Sequence, residues 1–382
     1  MKRFCWILAL LLALSLFPHR VQAVELEIAG KSALLMDVAT GTILYEKNAH
    51  EKLAPASVTK VMTLLLIMEA IDSGKIRWDD TVTASETAAG KGGSQVYLKV
   101  GEAMSVSDMV KSIAVSSAND CACAMAEHIA GSEAAFVELM NRRAEELGMT
   151  DTHFVNCTGL DDGLDAAQHR TCAYDIALMS RELMKYHPDI KKFTTIWMDT
   201  IRDGAFGLSN TNKLIRFYPG ATGLKTGFTS GAGYCLSATA ERDGLELIAV
   251  VMGCETSKER TAACKSMLDY GFANYALFTP SWEESPTVPV KLGHSAAVAA
   301  IPETEPQLLV DKAKKDGITV QTTLEGSVTA PVSRGQRLGT VTLRSGEQIL
   351  GEVPLVAAEN VDRLTWWDVT VHVLKRVAMA KA

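Results

Sequence analysis

The chain has 382 residues, 47% of them hydrophobic and 22% charged, which excludes an intrinsically disordered protein and leaves room for two domains. A net charge of −7 with no large basic block argues against a nucleic-acid partner.

The first residues, Met1-Lys2-Arg3, are basic, and Cys5 to Phe17 is a nearly unbroken apolar run. That run is shorter than the ~20 residues that span a bilayer. Val21-Gln22-Ala23 offers small residues for cleavage, so residues 1–23 read as a signal peptide removed after Ala23, with an uncleaved anchor as the alternative. Either reading puts the working chain outside the cytoplasm. Seven cysteines follow the signal: Cys121, Cys123, Cys157, Cys172, Cys235, Cys254 and Cys264. An odd number cannot all pair within one chain. There is no C-x-x-C, and Cys121-Ala122-Cys123 is a poor zinc spacing. Buried free thiols are expected, with one or two disulfides at most.

Ser32 to Val38 and Ile43 to Lys47 flank a turn at Thr40-Gly41 and predict a β-hairpin. Residues 57–72 carry helical periodicity through Val58, Met62, Leu65 and Leu66, with Pro55 at the entry. Residues 105–147 predict two or three helices, and Tyr174–Tyr186 another, with His169 and Asp175 ordering the loop before it. Thr222 to Thr229, Tyr234 to Ala240 and Leu245 to Met252 predict three strands, the last two joined by a tight turn at Arg242-Asp243-Gly244. A helix is expected over Ser257–Tyr275. Strands at both ends with helices between predict one sheet closed by the two ends of the domain, with a helical lobe inserted.

Composition changes at Thr279-Pro280. Residues 281–360, rich in Val, Pro, Gly and Thr, predict a small all-β domain with short strands such as Gly317–Thr322 and Gly339–Leu343. In the last segment Leu364, Trp367, Val371, Leu374 and Ala378 share one helix face. Asp368, His372, Lys375 and Arg376 break the run, so it is no comfortable membrane span. Paired tryptophans and terminal cations suit a helix lying in the membrane interface; docking on the protein's own body is the alternative.

Three short motifs carry chemistry. Ser57-Val58-Thr59-Lys60 opens a helix, so serine and lysine share a face and the lysine nitrogen reaches the hydroxyl. The positive end of the helix dipole would favour a developing alkoxide. A lysine becomes a base only if burial and a second cation lower its pKa. Lys225-Thr226-Gly227, on a predicted strand, supplies that second lysine, and its glycine lets a substrate backbone lie close. Ser116-Ser117-Ala118-Asn119-Asp120 offers a proton relay and an amide-binding group. His128, His153, His169 and His187 lack H-E-x-x-H spacing, and G-x-S-x-G is absent, which argues against a metalloenzyme and an α/β-hydrolase. No cofactor is expected.

S-x-x-K, S-x-N and K-T-G in that order are a sharper signal than any one alone. In them the chain resembles the penicillin-recognising serine enzymes, and within these the low-molecular-mass penicillin-binding proteins that are D-alanyl-D-alanine carboxypeptidases. Asp37–Thr42, Ala56–Lys60, Gly92-Gly93-Ser94, Asn156–Leu160, the β domain and the terminal helix extend the resemblance over nearly the whole mature chain. Ala118 stands where glycine is common, and Cys157 and Cys172 replace commoner residues.

The resemblance implies an α+β fold: a β-lactamase/transpeptidase-like antiparallel sheet flanked by helices with a helical lobe, over residues 24–278. A β-rich domain (279–360) and an amphipathic helix (361–382) would follow. It implies that Ser57 attacks the carbonyl of a D-Ala-D-Ala bond and is acylated while Lys60 takes its proton. Ser117 and Lys225 pass a proton to the leaving D-alanine. Asn119 holds the substrate amide, the N–H groups of Ser57 and Phe228 form an oxyanion hole, and Thr226, Gly227 and Thr229 line the binding strand. Arg260 either meets the substrate carboxylate or is a helix-surface charge. Expected partners are peptidoglycan stem peptides ending in D-Ala-D-Ala, β-lactams as covalent inhibitors, and a membrane surface, at the outer face of the cytoplasmic membrane. Two other functions fit the same fold. A β-lactamase needs a fast deacylation route, often an added glutamate, whereas Gly159–Asp165 holds aspartates. A wall-binding homologue would have lost activity, against which the intact Ser57, Lys60, Asn119 and Lys225 argue.

Overall fold

The computed structural model describes residues 26–161, 168–280, 285–305 and 307–371. The signal segment, Asp162 to Asp165, and Leu374 to Ala378 of the terminal helix face lie outside the described residues.

A five-stranded antiparallel sheet forms the centre of the first part. Its strands are β1 (Ser32–Asp37), β2 (Ile43–Lys47), β3 (Ala221–Thr229), β4 (Gly233–Arg242) and β5 (Leu245–Cys254), in the order β2-β1-β5-β4-β3. The N-terminal hairpin closes onto the last strand, with Ser32 opposite Met252 and Asp37 opposite Leu247. This is the closure expected from strands at both ends of the segment.

Strand periodicity sorts the side chains onto two faces. Leu34, Met36, Ile248, Val250 and Met252 point into one core. Ala33, Leu35, Leu247, Ala249 and Val251 point into a second, with Ala263, Met267, Leu268 and Phe272. Both faces are covered, so β1 is buried at every position and does not alternate polar with apolar.

The larger core holds the helical lobe: α1 (Lys60–Asp72), α2 (Val106–Ser116), α3 (Asn119–Ala130), α4 (Glu133–Glu146) and, against the sheet, α5 (Ala173–Tyr186). The helix α6 (Ser257–Asn274) backs the other face and starts with a capping box between Thr256 and Glu259. A single apolar stripe would be enough to give the helical periodicity of residues 57–72. Instead α1 is buried on almost every side, from Lys60 through Ala70, and a 3-10 turn over Ala56–Thr59 precedes it. A helix threaded between a lobe and a sheet needs apolar residues all round.

Beyond α6, β6 (Thr287–Lys291), β7 (Ala297–Pro302), β8 (Ile318–Leu324), β9 (Val328–Thr329), β10 (Arg337–Ser345) and β11 (Gln348–Ala357) form a six-stranded sheet in the order β8-β10-β11-β7-β6-β9. Val288, Val298, Leu338, Val341 and Leu355 fill its core. Val361 is buried in the same core and bridges Val332, and Arg363 bridges Gly293. Leu364 N–H also donates to Leu292 O, so the residues that join the terminal segment to the sheet reach Leu364. Trp366 and Trp367 beyond them are 76% and 62% exposed. No helix among the described residues is long and apolar enough to cross a membrane.

Candidate active site

The site lies where α1, the α2–α3 corner and the edge strand β3 meet. The 3-10 turn presents Ser57, half-buried, while Lys60 one turn later is fully buried. Lys60 Nζ is 3.0 Å from Ser57 Oγ and donates to Thr158 O at 2.8 Å. Ser57 thus belongs to the turn before the α-helix, not to the helix itself. The turn is held from behind by a directed chain. Val155 N–H donates to His169 Nδ1 at 3.2 Å, so Nε2 carries the proton toward Thr59 Oγ1 at 2.8 Å, and Thr59 donates to Ala56 O at 2.8 Å. His169 was expected to order the loop before α5; here it braces the serine turn. Gly159 (φ +77°) closes the arrangement, because a Cβ there would lie 1.8 Å from Ala56 O.

Burial brings the Lys60 amine down from 10.5 to about 7, against an opposing pull from Cys157 and then Asp120. Burial first, then Lys60 and Arg260, hold fully buried Lys225 well below the usual lysine range. The two lysines therefore stand close enough to repel. Burial is the leading cause at both lysines, and the repulsion between them is mutual, disfavouring a charge on both at once. Lys225 Nζ donates to Thr226 O at 2.9 Å.

Strand β3 is an edge strand, so the sheet leaves one side of its backbone unpaired. That edge runs beside the serine turn: a Cβ on Gly227 would lie 2.7 Å from Pro55 O and 3.1 Å from Val58 N. Only glycine permits this approach. Thr226 donates to Thr211 Oγ1 at 2.6 Å, Thr229 Oγ1 accepts from Ala232 N–H at 3.1 Å, and exposed Phe228 stacks on Tyr234 with centroids 4.2 Å apart.

Ser117 ends α2 in the left-handed region (φ 63°) and is 3% exposed. Such a conformation is costly for a non-glycine residue and concentrates at functional sites. The corner lets Asn119 open α3 beside it. Asn119 N–H donates to Ser94 O and Nδ2 to Gly92 O, each at 2.7 Å. Asn119 Oδ1 is buried and without a partner, an acceptor that ordinary proteins rarely leave unmet.

Arg260 is not a helix-surface charge. It is 8% exposed, its Nη1 donates to Gly227 O at 3.2 Å and Cys235 O at 3.4 Å, and its Nε is buried without a partner.

Sequence reasoning gave no role to several supporting groups. Asp120 accepts from the N–H groups of Val96 and Leu98, fixing the loop after Ser94. Glu133 binds Lys91 at 2.5 Å and accepts from Cys157 N–H at 3.3 Å and Sγ at 3.2 Å. It thereby ties the Gly92–Ser94 loop to the Cys157-Thr158 loop. Only the acidic residue directly after Asn119 could have drawn attention beforehand. All seven described cysteines are unpaired and buried, so the disulfides allowed for are absent among them.

His169 gives a stability prediction. Burial, with His153 and Lys60, brings its pKa from 6.5 to about 4 in the folded state. Its contribution is therefore complete above pH 6.5 and lost as pH falls toward 4, by about 3 kcal/mol. Urea unfolding at pH 7 and pH 4.5 should show this component in the wild type and not in His169→Phe. Equal pH slopes in the two proteins would count against it.

A helical lobe set beside an antiparallel sheet, with a serine–lysine pair in the seam, is the plan of the penicillin-binding proteins. Penicillin-binding protein 5 of Haemophilus influenzae superposes with a TM-score of 0.74 at 30% identity, covering 88% of this chain and 98% of that one. The chain belongs to the D-alanyl-D-alanine carboxypeptidase family, whose model matches residues 19–256. A second model, the penicillin-binding protein 5 C-terminal domain, matches residues 283–363. D-alanyl-D-alanine carboxypeptidase DacF of Bacillus subtilis is 44% identical over 347 residues, 89% of this chain and 87% of that protein. Penicillin-binding protein D2 of Listeria monocytogenes in its ampicillin-bound form matches with a TM-score of 0.59 at 33% identity, covering 65% of this chain and 99% of that one.

Proposed function

We propose that this serine peptidase is exported and removes the terminal D-alanine from peptidoglycan pentapeptides through an acyl-enzyme on Ser57. The observation that carries the reading is the fully buried Lys60, with its amine near neutrality and 3.0 Å from Ser57 Oγ. Neutral Lys60 takes the hydroxyl proton while its bond to Thr158 O keeps the nitrogen in place. The oxygen attacks the penultimate D-alanine carbonyl, and the N–H groups of Ser57 and Phe228 receive the developing charge. Ser117 and Lys225 deliver a proton to the departing amine. Asn119 Oδ1 accepts an N–H of the bound peptide, which would satisfy that orphaned acceptor. Gly227, with Thr226 and Thr229 on either side, lets the peptide lie along the strand edge. Arg260, buried under that strand, supplies positive charge toward the terminal carboxylate. Water then releases the shortened peptide.

Release of D-alanine from diacetyl-lysyl-D-Ala-D-Ala by the purified protein tests the reading directly; no release would leave a wall-binding protein. β-Lactams would acylate Ser57 in the same crevice, as expected from the ampicillin-bound form of the Listeria relative. An acyl-enzyme with benzylpenicillin that lasts minutes or longer fits a carboxypeptidase, and rapid turnover would point to a β-lactamase. Asn119→Ala is expected to lower kcat/KM for the tripeptide about 10- to 100-fold, the cost of one buried hydrogen bond to substrate. A change under twofold would remove Asn119 from substrate binding.

The division into a catalytic domain (24–278), a β domain and a terminal helix is part of this proposal, as is attachment at the outer face of the cytoplasmic membrane. The exposed Trp366-Trp367 pair supports that attachment. Because Val361 and Arg363 bridge to other segments, a truncation should begin at Thr365. The truncated protein is expected to lose sedimentation with anionic vesicles and to keep tripeptide hydrolysis within twofold. Undiminished sedimentation would reject the anchor.

A further inference from the structure

Away from the seam, three chemically different metal-ligating side chains converge from three loops. His50 follows β2, Asp151 follows α4, and Cys172 caps the N-terminus of α5. His50 Nδ1 lies 3.2 Å from Asp151 Oδ2, Cys172 Sγ lies 3.9 Å from the same oxygen, and all three ligand atoms fall within 4.8 Å of one another. Zinc bonds of about 2.0–2.3 Å at tetrahedral angles place ligand atoms about 3.3–3.6 Å apart. The widest separation, up to 4.8 Å, would close by about 1 Å on binding.

We infer that His50, Asp151 and Cys172 form a binding site for a zinc-class divalent cation, separate from the peptidase chemistry. Imidazole, carboxylate and thiolate together suit zinc rather than magnesium or calcium, which take oxygen. On binding, the Cys172 S–H bond breaks, its proton leaves to solvent, and sulfur bonds to the metal as thiolate.

Supporting groups are in place. Asp175 N–H donates to Cys172 Sγ at 3.4 Å, and the His50 ring leans on Tyr174 with centroids 4.8 Å apart. Asp175 Oδ2 accepts from Asp151 N–H and Thr152 Oγ1, while Asp175 Oδ1 is buried without a partner. Lys52 occupies the far oxygen of Asp151 at 3.2 Å and leaves Oδ2 to the metal. His50 is exposed and gives a route in. The site would staple the chain between β2 and the serine turn to the segment carrying His169, since Leu53 and Thr171 bridge one another there.

The full-length protein, reduced, stripped with chelator and dialysed, is titrated with Co²⁺ and then Zn²⁺. One equivalent of Co²⁺ should give a thiolate-to-cobalt charge-transfer band that Zn²⁺ abolishes, and Zn²⁺ should raise Tm by several degrees. Cys172→Ser, which keeps an N-cap oxygen, should lose the band. His50→Ala, a change at an exposed side chain, should weaken binding at least tenfold. Absence of the band in the wild type overturns the site, as does a band unchanged in His50→Ala. Should Cys172→Ser fail to fold, His50→Ala decides alone. Penicillin labelling of Ser57 should be the same with and without metal, so this result stands apart from the peptidase assay.

Discussion

Ser57→Ala is expected to lower D-alanine release from the tripeptide by at least about 10³-fold and to abolish covalent labelling by a fluorescent penicillin. The serine is half-buried on a turn fixed by Thr59, His169 and Gly159, and removing its hydroxyl touches none of those contacts. The variant should therefore keep its Tm within a few degrees, separating lost chemistry from lost folding. Some hydrolysis above the uncatalysed rate is expected to remain, because backbone donors and the strand edge still bind substrate. Labelling that persists at the wild-type level would remove Ser57 from the mechanism.

The second large effect concerns the proton. If neutral Lys60 is the base, kcat/KM should climb about tenfold per pH unit on the acid side and level off above an apparent pKa near 7. The sign follows from charge: below that value the amine is an ammonium with no lone pair, above it the lone pair is free. Lys60→Met keeps volume and removes the nitrogen; a loss of about 10³-fold is expected, within the range for general bases. It also leaves Thr158 O without its donor, so Tm should be measured alongside. Lys60→Arg places in the site a group that cannot deprotonate and should be as inactive. A rate independent of pH between 5.5 and 8.5, or more than a tenth of wild-type activity in Lys60→Met, would assign the base elsewhere.

Much of the architecture was legible beforehand because it is local. The hairpin, the three strands with their turn at Arg242-Asp243-Gly244 and the helix after Thr256 are written in runs of fewer than twenty residues. So is the i, i+3 relation of Ser57 and Lys60, which any helical turn enforces. Arg260 read equally well as a surface charge, because one helix position says nothing about what packs on it. Val361 and Arg363 fell to the terminal segment for the same reason: their bridges to Val332 and Gly293 are long-range. The support given by Glu133, which joins two loops 42 and 24 residues away, had no signature at all.

By itself, then, the sequence determined the kinds of reacting group, their order along the chain and the family. Those are properties of residue type and short spacing. The depth of Lys60, the crowding of Lys225, the unpaired Asn119 oxygen and the covered face over Arg260 were decided only by tertiary structure. Desolvation and repulsion depend on what surrounds an atom in space, and those surroundings come from segments far apart in the chain.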